Sequence, residues 1–404
     1  MLLHEGSLFW PKTVAPILYE KPLCMRHVYD VAIVGAGMSG ALCAHQLQQA
    51  GYTVALIDSH EPASNSTAAN TGLLQYANDI MLHELAEKIG VVDAVTFYKR
   101  CVQAMSDLQK LAGQLHRDVD FIERPSVCYA STKEDAKKLE REYDMLQQHG
   151  FRCDFWTKKQ VQQHMGFKKH AALVTYGDAE VNPVKFVHAI LQKLIDDGLH
   201  VFSNTHVHNI QHGDTITLET TTGTIRAKHV VYAVGYSPLP VDHLIGANIR
   251  RSYALVTQAT TAPFWHERAL IWETARPYLY LRTTVDNRLV IGGLDEAFSK
   301  PTTSPRKRKK QAKKLLQEVK KLFPHLQLQA EFVYCASFGE SRDALPYIGP
   351  HPDYANEFYI AGYGGNGTVY SMIAADEITQ QLQQHYTAIS AIVSTKRVTG
   401  IQTI

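Results

Sequence analysis

The chain has 404 residues, of which 45% are hydrophobic and 20% charged, and a formal net charge of +2. This composition is typical of a globular protein with one large or two moderate cores, and the balanced charge excludes a long-range field directed at nucleic acid or an anionic membrane. The six cysteines have neither a CxxC pair nor zinc-site spacing, so we expect free thiols, no metal and a cytoplasmic location. No apolar run has the length of a signal peptide or an integral membrane segment.

Residues 1–27 show no clear periodicity and contain three prolines, Pro11, Pro16 and Pro22. This pattern predicts an extended arm over the surface rather than a regular element. From residue 28 the pattern changes to strand, helix and strand, with apolar β-branched runs at 29–34 and 52–57 around helical spacing at 41–50. This is a βαβ unit.

The rest of the chain alternates between helical and strand patterns. Helices are predicted within 85–115, 133–149, 161–165, 183–196 and 315–323 and from 369, and strands at 171–176, 200–203, 216–220, 224–227, 230–235, 253–260, 270–272, 278–282, 289–292 and 357–361. The closely spaced strands after residue 252 indicate a separate antiparallel sheet. The basic run 306–314 is typical of the solvated face of a surface helix, with nucleic-acid binding or a localisation signal as the less favoured reading.

These patterns predict an α/β fold: a Rossmann-type domain with an inserted substrate domain made of an antiparallel sheet and helices. The expected parts are an arm (1–27), the first part of the cofactor domain (28–84), a helical insert of the substrate domain (85–170), the second part of the cofactor domain (171–245), the substrate sheet (246–334) and the third part of the cofactor domain (335–404).

The strongest motif is a GxGxxG between the first strand and the first helix, formed by Gly35, Gly37 and Gly40. Gly35 permits a tight turn, Gly37 admits a pyrophosphate close to the backbone, and Gly40 allows the helix to pack closely. Asp58 ends the second strand, near the distance of about 20 residues expected for an acid that binds ribose. The motif therefore predicts a bound dinucleotide.

A second GxGxxG match spans residues 362–367, between a predicted strand and a predicted helix. It could bind a nicotinamide nucleotide, but too few residues follow it for a second strand with its acid. Bare backbone amides at a helix start are better suited to hold a flavin pyrimidine carbonyl. The polar segment 64–75 fits the same plan, with small hydroxyl residues for phosphate and then Gly72 and Leu73 against the flavin. We therefore expect FAD.

Taken together, these motifs resemble the D-amino-acid oxidase superfamily of flavoenzymes, which includes glycine oxidase, sarcosine oxidase and D-amino-acid dehydrogenase. The resemblance covers nearly the whole chain and includes the segments 30–40, 230–235, 342–349 and 362–367 with Asp58. It implies oxidation of a carbon bearing an amine by hydride transfer to flavin N5, with O₂ or a quinone as electron acceptor. The motifs and the resemblance assign cofactor binding to Gly35, Gly37, Met38, Ser39, Gly40, Asp58, Ser66, Thr67, Gly72, Leu73, Val207, Ala233, Gly235, Gly364, Gly365, Asn366 and Gly367.

Substrate contacts are expected from the predicted strand 278–282 and the residues before it. Alternation would place Arg276, Tyr278, Tyr280 and Arg282 on one face, which is either the substrate face or an ordinary solvated face. Within the resemblance, Tyr278 matches the tyrosine that touches the substrate carboxylate in glycine oxidase-like enzymes.

The sequence departs from the family at the arginines that bind a substrate carboxylate, whose positions are occupied by Phe338 and Gly365. Arg276, Arg282 or Arg342 could replace them, or the substrate could be an amine without a carboxylate. The cysteine that carries covalent flavin in sarcosine oxidase-type members aligns with Ala336 and not with Cys335, so we expect non-covalent FAD.

Three other functions remain open at this point. A flavin monooxygenase fed by NADPH would share the first domain, but Gly364-Gly365 stands where such proteins have a Gly-Asp pair. A tRNA-modifying flavoprotein would need a more basic surface than the balanced charge suggests. A non-catalytic flavin-binding protein would have no need for the expected tyrosines and arginines of the second sheet.

Overall fold

The computed structural model describes residues 3–15, 17, 19, 28–236 and 248–397, so Pro16, Pro22 and Cys24 lie outside the described residues. Two short 3₁₀ turns are formed by Trp10–Lys12 and His266–Arg268. The helices are α1 (Met38–Gln49), α2 (Ser66–Ala69), α3 (Leu82–Ile89), α4 (Val91–Gln114), α5 (Lys133–Gln148), α6 (Lys158–Met165), α7 (Pro183–Asp196), α8 (Pro305–Leu322), α9 (Gly367–Leu382) and α10 (Ala388–Ile392).

The strands form two sheets. They are β1 (His4–Gly6), β2 (Tyr29–Val34), β3 (Val54–Ile57), β4 (Leu73–Leu74), β5 (Ile122–Tyr129), β6 (Cys153–Thr157), β7 (Ala171–Glu180), β8 (His200–Phe202), β9 (Val207–Gln211), β10 (Ile216–Thr220), β11 (Gly223–Tyr232), β12 (Asn248–Thr257), β13 (Leu270–Glu273), β14 (Leu279–Thr283), β15 (Leu289–Glu296), β16 (Ala330–Glu340), β17 (Tyr347–Pro350) and β18 (Glu357–Ala361).

The smaller sheet has the order β17-β18-β11-β2-β3-β8, with β10 and β9 added beside β11. Strands β18, β11, β2, β3 and β8 are parallel. Parallel strands are covered on both faces, which explains why β2 and β3 read as continuous apolar runs. Helix α1 packs on β2 and β3, helix α9 packs on β17 and β18, and both α7 and α9 pack against α1, which is the predicted Rossmann-type arrangement.

The larger sheet has the order β1-β16-β12-β15-β14-β13-β5-β7-β4, and β6 pairs with β7. One of its faces is covered by α8, whose buried residues Leu315 and Val319 join a core with Leu255, Leu281 and Ile291. Most cations of the basic run lie on the opposite, exposed side of α8. The other face of the sheet is turned toward the smaller sheet. The fold class expected from the sequence is thus confirmed.

Three parts of the chain differ from expectation. The segment 85–170, expected to be a helical insert of the substrate domain, also contributes the strands β5 and β6 to the larger sheet. Strand β7, expected in the cofactor domain, also pairs in the larger sheet. The segment before residue 28 is not merely a surface arm, because β1 pairs with β16 and the side chains of Leu3, Phe9 and Trp10 are buried.

The five cysteines among the described residues are all buried and free. In the same part of the chain, no cluster of three or more His, Cys, Asp or Glu side chains is arranged to hold a metal ion. None of the described helices combines the length and the apolar character needed to cross a bilayer.

The close packing of α1 against the turn after β2 gives a testable prediction. A Cβ added to Gly40 would lie 1.8 Å from the Gly35 carbonyl oxygen, so Gly40→Ala must displace the helix or the turn. We expect a melting temperature several degrees lower and loss of most bound FAD, measured by thermal unfolding and by the flavin-to-protein absorbance ratio. The control is Gly113→Ala in α4, where the new methyl group meets no atom within 4 Å. If both variants kept the parental values, this packing would not control cofactor binding.

Candidate active site

A cavity of about 910 Å³ lies between the two sheets. Its volume is near the upper end of the range of about 300–1,000 Å³ for ligand pockets, which suits a dinucleotide together with a small substrate. Its lining includes the turn after β2, Asp58, the turn before α9 and several aromatic residues.

The first glycine turn lies at the N-terminus of α1. Gly35 has a φ of 110°, and its N–H donates to the carbonyl of Ile57 at 2.7 Å. The Met38 amide donates to the Thr67 hydroxyl at 3.0 Å, which ties the polar segment after β3 to the start of the helix. Because free amides and the positive end of the dipole meet at a helix N-terminus, this end of the cavity favours an anion such as a pyrophosphate.

Asp58 lies at the end of β3 and lines the cavity. Its two carboxylate oxygens accept hydrogen bonds from the amides of Ala36, at 2.7 Å, and His60, at 2.9 Å. Burial raises the pKa of this carboxyl, while the two amides act in the opposite direction. The backbone therefore fixes the orientation of the carboxylate in the position expected for a ribose contact.

The second glycine motif lines the same cavity as the first. Gly364 has a φ of 53°, and its turn leads into α9. Ser39 of α1 contacts Ser371 of α9, with 2.7 Å between the hydroxyl oxygens, and donates to the Tyr363 hydroxyl at 3.2 Å. The two motifs thus contribute two adjacent helix N-termini to one cavity, as a single elongated cofactor requires, rather than forming two nucleotide sites.

Asn78 and Asp79 hold the second glycine turn in place, and the sequence analysis missed both. The Gly365 amide donates to the Asp79 carboxylate at 2.9 Å. The Asn366 side-chain amide donates to the Asn78 side-chain oxygen at 2.7 Å, and that oxygen also accepts from Tyr370 at 2.9 Å. No motif marks these residues, because their partners lie almost 300 positions further along the chain.

The structure brings most of the predicted cofactor residues to the cavity wall. Gly40 and Gly72 do not line it: Gly40 packs against the first turn, and Gly72, with a φ of 74°, packs against Val181 and Arg282. The predicted residues that line the cavity are Gly35, Gly37, Met38, Ser39, Asp58, Ser66, Thr67, Leu73, Val207, Ala233, Gly235, Gly364, Gly365, Asn366 and Gly367.

Four aromatic residues that line the cavity belong to strands of the larger sheet or lie directly beside one: Trp272 in β13, Tyr280 in β14, Phe338 in β16, and Tyr278, which immediately precedes β14. Tyr280 pairs with Gly292 on the neighbouring strand, and its ring occupies the space that a Cβ of Gly292 would fill. Burial raises the pKa of Tyr278 well above its ordinary value, and the charges of Asp79 and Asp295 add to this effect. Both tyrosines therefore remain neutral hydroxyl groups at any ordinary pH.

The two arginines expected in this wall lie elsewhere. Arg276 precedes β14 and is exposed, with its guanidinium 4.5 Å from the centre of the Tyr278 ring and 3.0 Å from the Asp79 carbonyl oxygen. It does not line the cavity. The expected strand alternation does not extend to Arg276, because β14 begins only at Leu279. Tyr278 and Tyr280, in contrast, both line the cavity.

Arg282 is a structural residue, and the expectation that it contacts substrate is wrong. It is 2% exposed, and its guanidinium donates to the carbonyls of Thr71, Val181 and Thr283 at 2.7–3.1 Å. A carboxylate oxygen of Glu180 lies 3.5 Å away. The Arg282 guanidinium thus binds the backbone beside Gly72. These hydrogen bonds hold in place the segment whose next residue, Leu73, lines the cavity.

Cys335 and Ala336 point to opposite faces of β16. The Cys335 thiol is buried in the core beneath α8, where it accepts a hydrogen bond from the Thr302 amide at 3.2 Å. Ala336 lines the cavity and carries no nucleophile. Non-covalent cofactor binding therefore stays our prediction.

The site as a whole fits FAD. Its wall combines two helix N-termini, a carboxylate at the end of the second parallel strand and small residues where a pyrophosphate must approach the backbone. The residues that would hold the adenosine and phosphates lie around Gly35 and Asp58, and those that would hold the pyrimidine edge of the flavin lie around Gly364 and Gly367.

Comparison with known proteins agrees with this geometry. A profile of the family described as FAD dependent oxidoreductase (DAO) matches residues 30–381. The glycine oxidase of Geobacillus kaustophilus is 26% identical over 90% of this chain and 95% of its own, and the gamma-glutamylputrescine oxidoreductase of Escherichia coli is 23% identical over 88% and 83%. A crystal structure of the Geobacillus kaustophilus glycine oxidase superposes with a TM-score of 0.79 at 22% identity, covering 92% of this chain and 100% of that one.

The buried guanidinium of Arg282 gives a prediction about stability. Arg282→Met keeps much of the side-chain volume but leaves three backbone carbonyls and Glu180 without their cation, a change that typically costs about 3–5 kcal/mol. We expect a large drop in melting temperature, with FAD released before the protein unfolds. The matched control is Arg306→Met on the exposed side of α8, which should leave the temperatures of unfolding and of FAD release unchanged. If the two variants had the same unfolding and release temperatures, the structural role of Arg282 would be contradicted.

The position of Cys335 gives a prediction about cofactor attachment. Acid precipitation of the yellow protein should leave FAD in the supernatant and a colourless pellet, as judged by absorbance and by the mass of the intact chain. A protein mass increased by that of FAD would refute non-covalent binding. Cys335→Ser should give the same result as the parent chain.

Proposed function

Because this chain belongs to the family of FAD-dependent oxidoreductases, we propose that it oxidises a small amine or amino acid at the carbon bonded to nitrogen. When bound, FAD supplies the acceptor for the hydride lost from that carbon. The substrate is thereby converted to an imine, which water hydrolyses to a carbonyl compound and a free amine. The functions of the relatives support this reaction, since they include glycine oxidase and gamma-glutamylputrescine oxidoreductase.

The observation that carries the proposal is the aromatic wall of the cavity, whose Tyr278 lies close to Asp79 and so to the second glycine turn. Tyr278, Tyr280, Trp272 and Phe338 face the region where the second glycine turn would hold the flavin. Such a wall orients a small substrate beside the flavin and displaces water, which are the protein's main tasks in this chemistry. No side-chain acid or base is required for the oxidation step.

The remaining residues act on the cofactor. The turn at Gly35, the amides at the start of α1 and the Asp58 carboxylate would bind its phosphates and ribose. The amides at the start of α9, beginning with Gly367, lie at the positive end of the helix dipole and are suited to stabilise negative charge on the pyrimidine ring. The amides of Gly364, Gly365 and Asn366 instead hold the turn itself, because they donate to Gly339, Asp79 and Tyr363.

We further propose a cytoplasmic location and an electron acceptor that is either O₂ or a quinone. The five buried free thiols support a reducing compartment. The two acceptors can be distinguished by following recovery of the flavin absorbance after reduction, first on admission of air and then, in a separate anaerobic sample, on addition of a water-soluble quinone.

The proposed reaction is tested by anaerobic mixing of the yellow protein with a panel of primary and secondary amines and of amino acids. At least one compound should bleach the visible flavin absorbance, and the carbonyl product should accumulate on turnover. Dithionite is the control for a reducible flavin. A flavin that dithionite bleaches but that no member of the panel reduces would contradict the proposal.

A substitution in the aromatic wall should separate substrate binding from cofactor binding. Tyr278→Leu removes the ring and its hydroxyl, so we expect the half-saturating substrate concentration to rise about tenfold while the FAD content stays at the parental level. The control is Tyr386→Leu, at a position that is 72% exposed. Loss of flavin from the Tyr278 variant alone would show that this side chain belongs to the cofactor site.

A further inference from the structure

The charges around the substrate end of the cavity are predominantly negative. Among the described residues that line the cavity, none is a lysine or an arginine, and the only carboxylates are those of Asp58 and Asp79. Asp58 lies at the end near the first glycine turn, whereas Asp79 lies beside Gly365 and the aromatic wall. The substrate end therefore has a carboxylate and no lining cation.

Two further acidic side chains, Asp295 and Glu340, lie close enough to Asp79 to be affected by its negative charge. Asp295 has a buried carboxylate oxygen without a hydrogen-bond partner. Burial raises its pKa, and the charge of Asp79 raises it further. The pKa of Glu340 is likewise raised by burial and then by Asp79.

The nearby cations are held outside the cavity. Arg276 is exposed and lies against Tyr278 and the Asp79 carbonyl, and Arg250 is paired with Glu340 at 3.7 Å on the protein surface. Both lower the pKa of Asp295 and Glu340 and so partly offset the effect of Asp79. Neither lines the wall that a substrate would touch.

The aromatic rings of the wall also favour a positively charged ligand. An alkylammonium ion is attracted to the faces of Trp, Tyr and Phe rings, and a ring cage with a carboxylate is a recurrent way to bind such ions. A substrate carboxylate would instead meet the aromatic rings and the Asp79 charge with no lysine or arginine among the described lining residues, which is unfavourable.

Building on the proposed function, we infer that this pocket selects a small amine without a carboxylate and holds it as an alkylammonium ion between Asp79 and the rings of Trp272, Tyr278, Tyr280 and Phe338. The absence of arginine at Phe338 and Gly365 is then a change of specificity rather than a displaced carboxylate site. Oxidation requires the neutral amine, which forms when the ammonium ion releases one proton to the buffered solvent outside the pocket.

The inference is tested by binding two probes that are not oxidised, tetramethylammonium and acetate, to the FAD-loaded protein. Binding is followed by calorimetry and by perturbation of the flavin spectrum. We expect tetramethylammonium to bind and acetate to show no saturable binding. The inference would be overturned if tetramethylammonium had no measurable affinity, or if acetate bound more tightly than tetramethylammonium.

Variants then locate the binding site. Asp79→Asn keeps an acceptor for the Gly365 amide but removes the charge, and Phe338→Leu keeps an apolar side chain but removes the ring; each should weaken tetramethylammonium binding roughly tenfold. Asp353→Asn and Tyr386→Leu, at positions 80% and 72% exposed, are the controls. Phe338→Arg should reverse the preference and create acetate binding. Unchanged tetramethylammonium affinity in both Asp79→Asn and Phe338→Leu would place the cation elsewhere and overturn the inference.

A matched pair of amines extends the test to catalysis. N-methylpropylamine should reduce the flavin faster than N-methylglycine, which has a carboxylate in place of the ethyl group. Faster reduction by N-methylglycine would overturn the inference while leaving the proposed function intact. If no amine or amino acid reduces the flavin, the proposed function fails, and the two probes still decide which charge the pocket prefers.

Discussion

The close approach of α1 to the turn after β2 is the constraint on which the rest of the site depends. It places the helix N-terminus at the cavity, and it lets Ser39 reach Ser371 and Tyr363 across the interface with α9. Since α9 carries the second glycine turn, the positions of both turns follow from a single helix pair. The larger sheet then needs only to cover the space between them, and its open face supplies the aromatic wall.

Much of the fold could be predicted from local patterns. The parallel strand β2, the helix α7 with its N-terminal proline and the strand β18 occur where periodicity places them, because burial on one or both faces leaves a clear apolar signature. The signature fails for β5, which contains Pro125 and the charged residues Glu123 and Arg124. Its strand conformation depends on pairing with β7 and β13 rather than on its own composition.

The residues of the candidate site likewise fall into two groups, those that local sequence could identify and those that it could not. Glycines at a strand-helix junction could be recognised because their function requires a particular backbone, whatever the rest of the chain does. Asp79 and Arg282 could not be assigned, since their roles arise from partners distant in the sequence: Gly365 for the carboxylate, and Thr71 and Val181 for the guanidinium. A charged residue within a strand pattern is equally compatible with substrate binding and with a buried structural role, and only the fold distinguishes them.

The short strand β1 lies on the edge of the larger sheet. The residues around it are hydrogen-bonded to the polar segment 64–75: the Leu3 amide donates to the Asn65 side chain at 2.9 Å, and the Trp10 indole donates to the Asn70 carbonyl at 2.6 Å. The pairing partner of β1, strand β16, leaves the ribosome long after β1 itself, and α9 later still. The βαβ unit can form early in synthesis, but the cavity cannot close until the contacts between the two ends of the chain are made. Cofactor capture is therefore a late event in the maturation of this polypeptide, and an incompletely synthesised chain would leave the ribosome as the apoprotein.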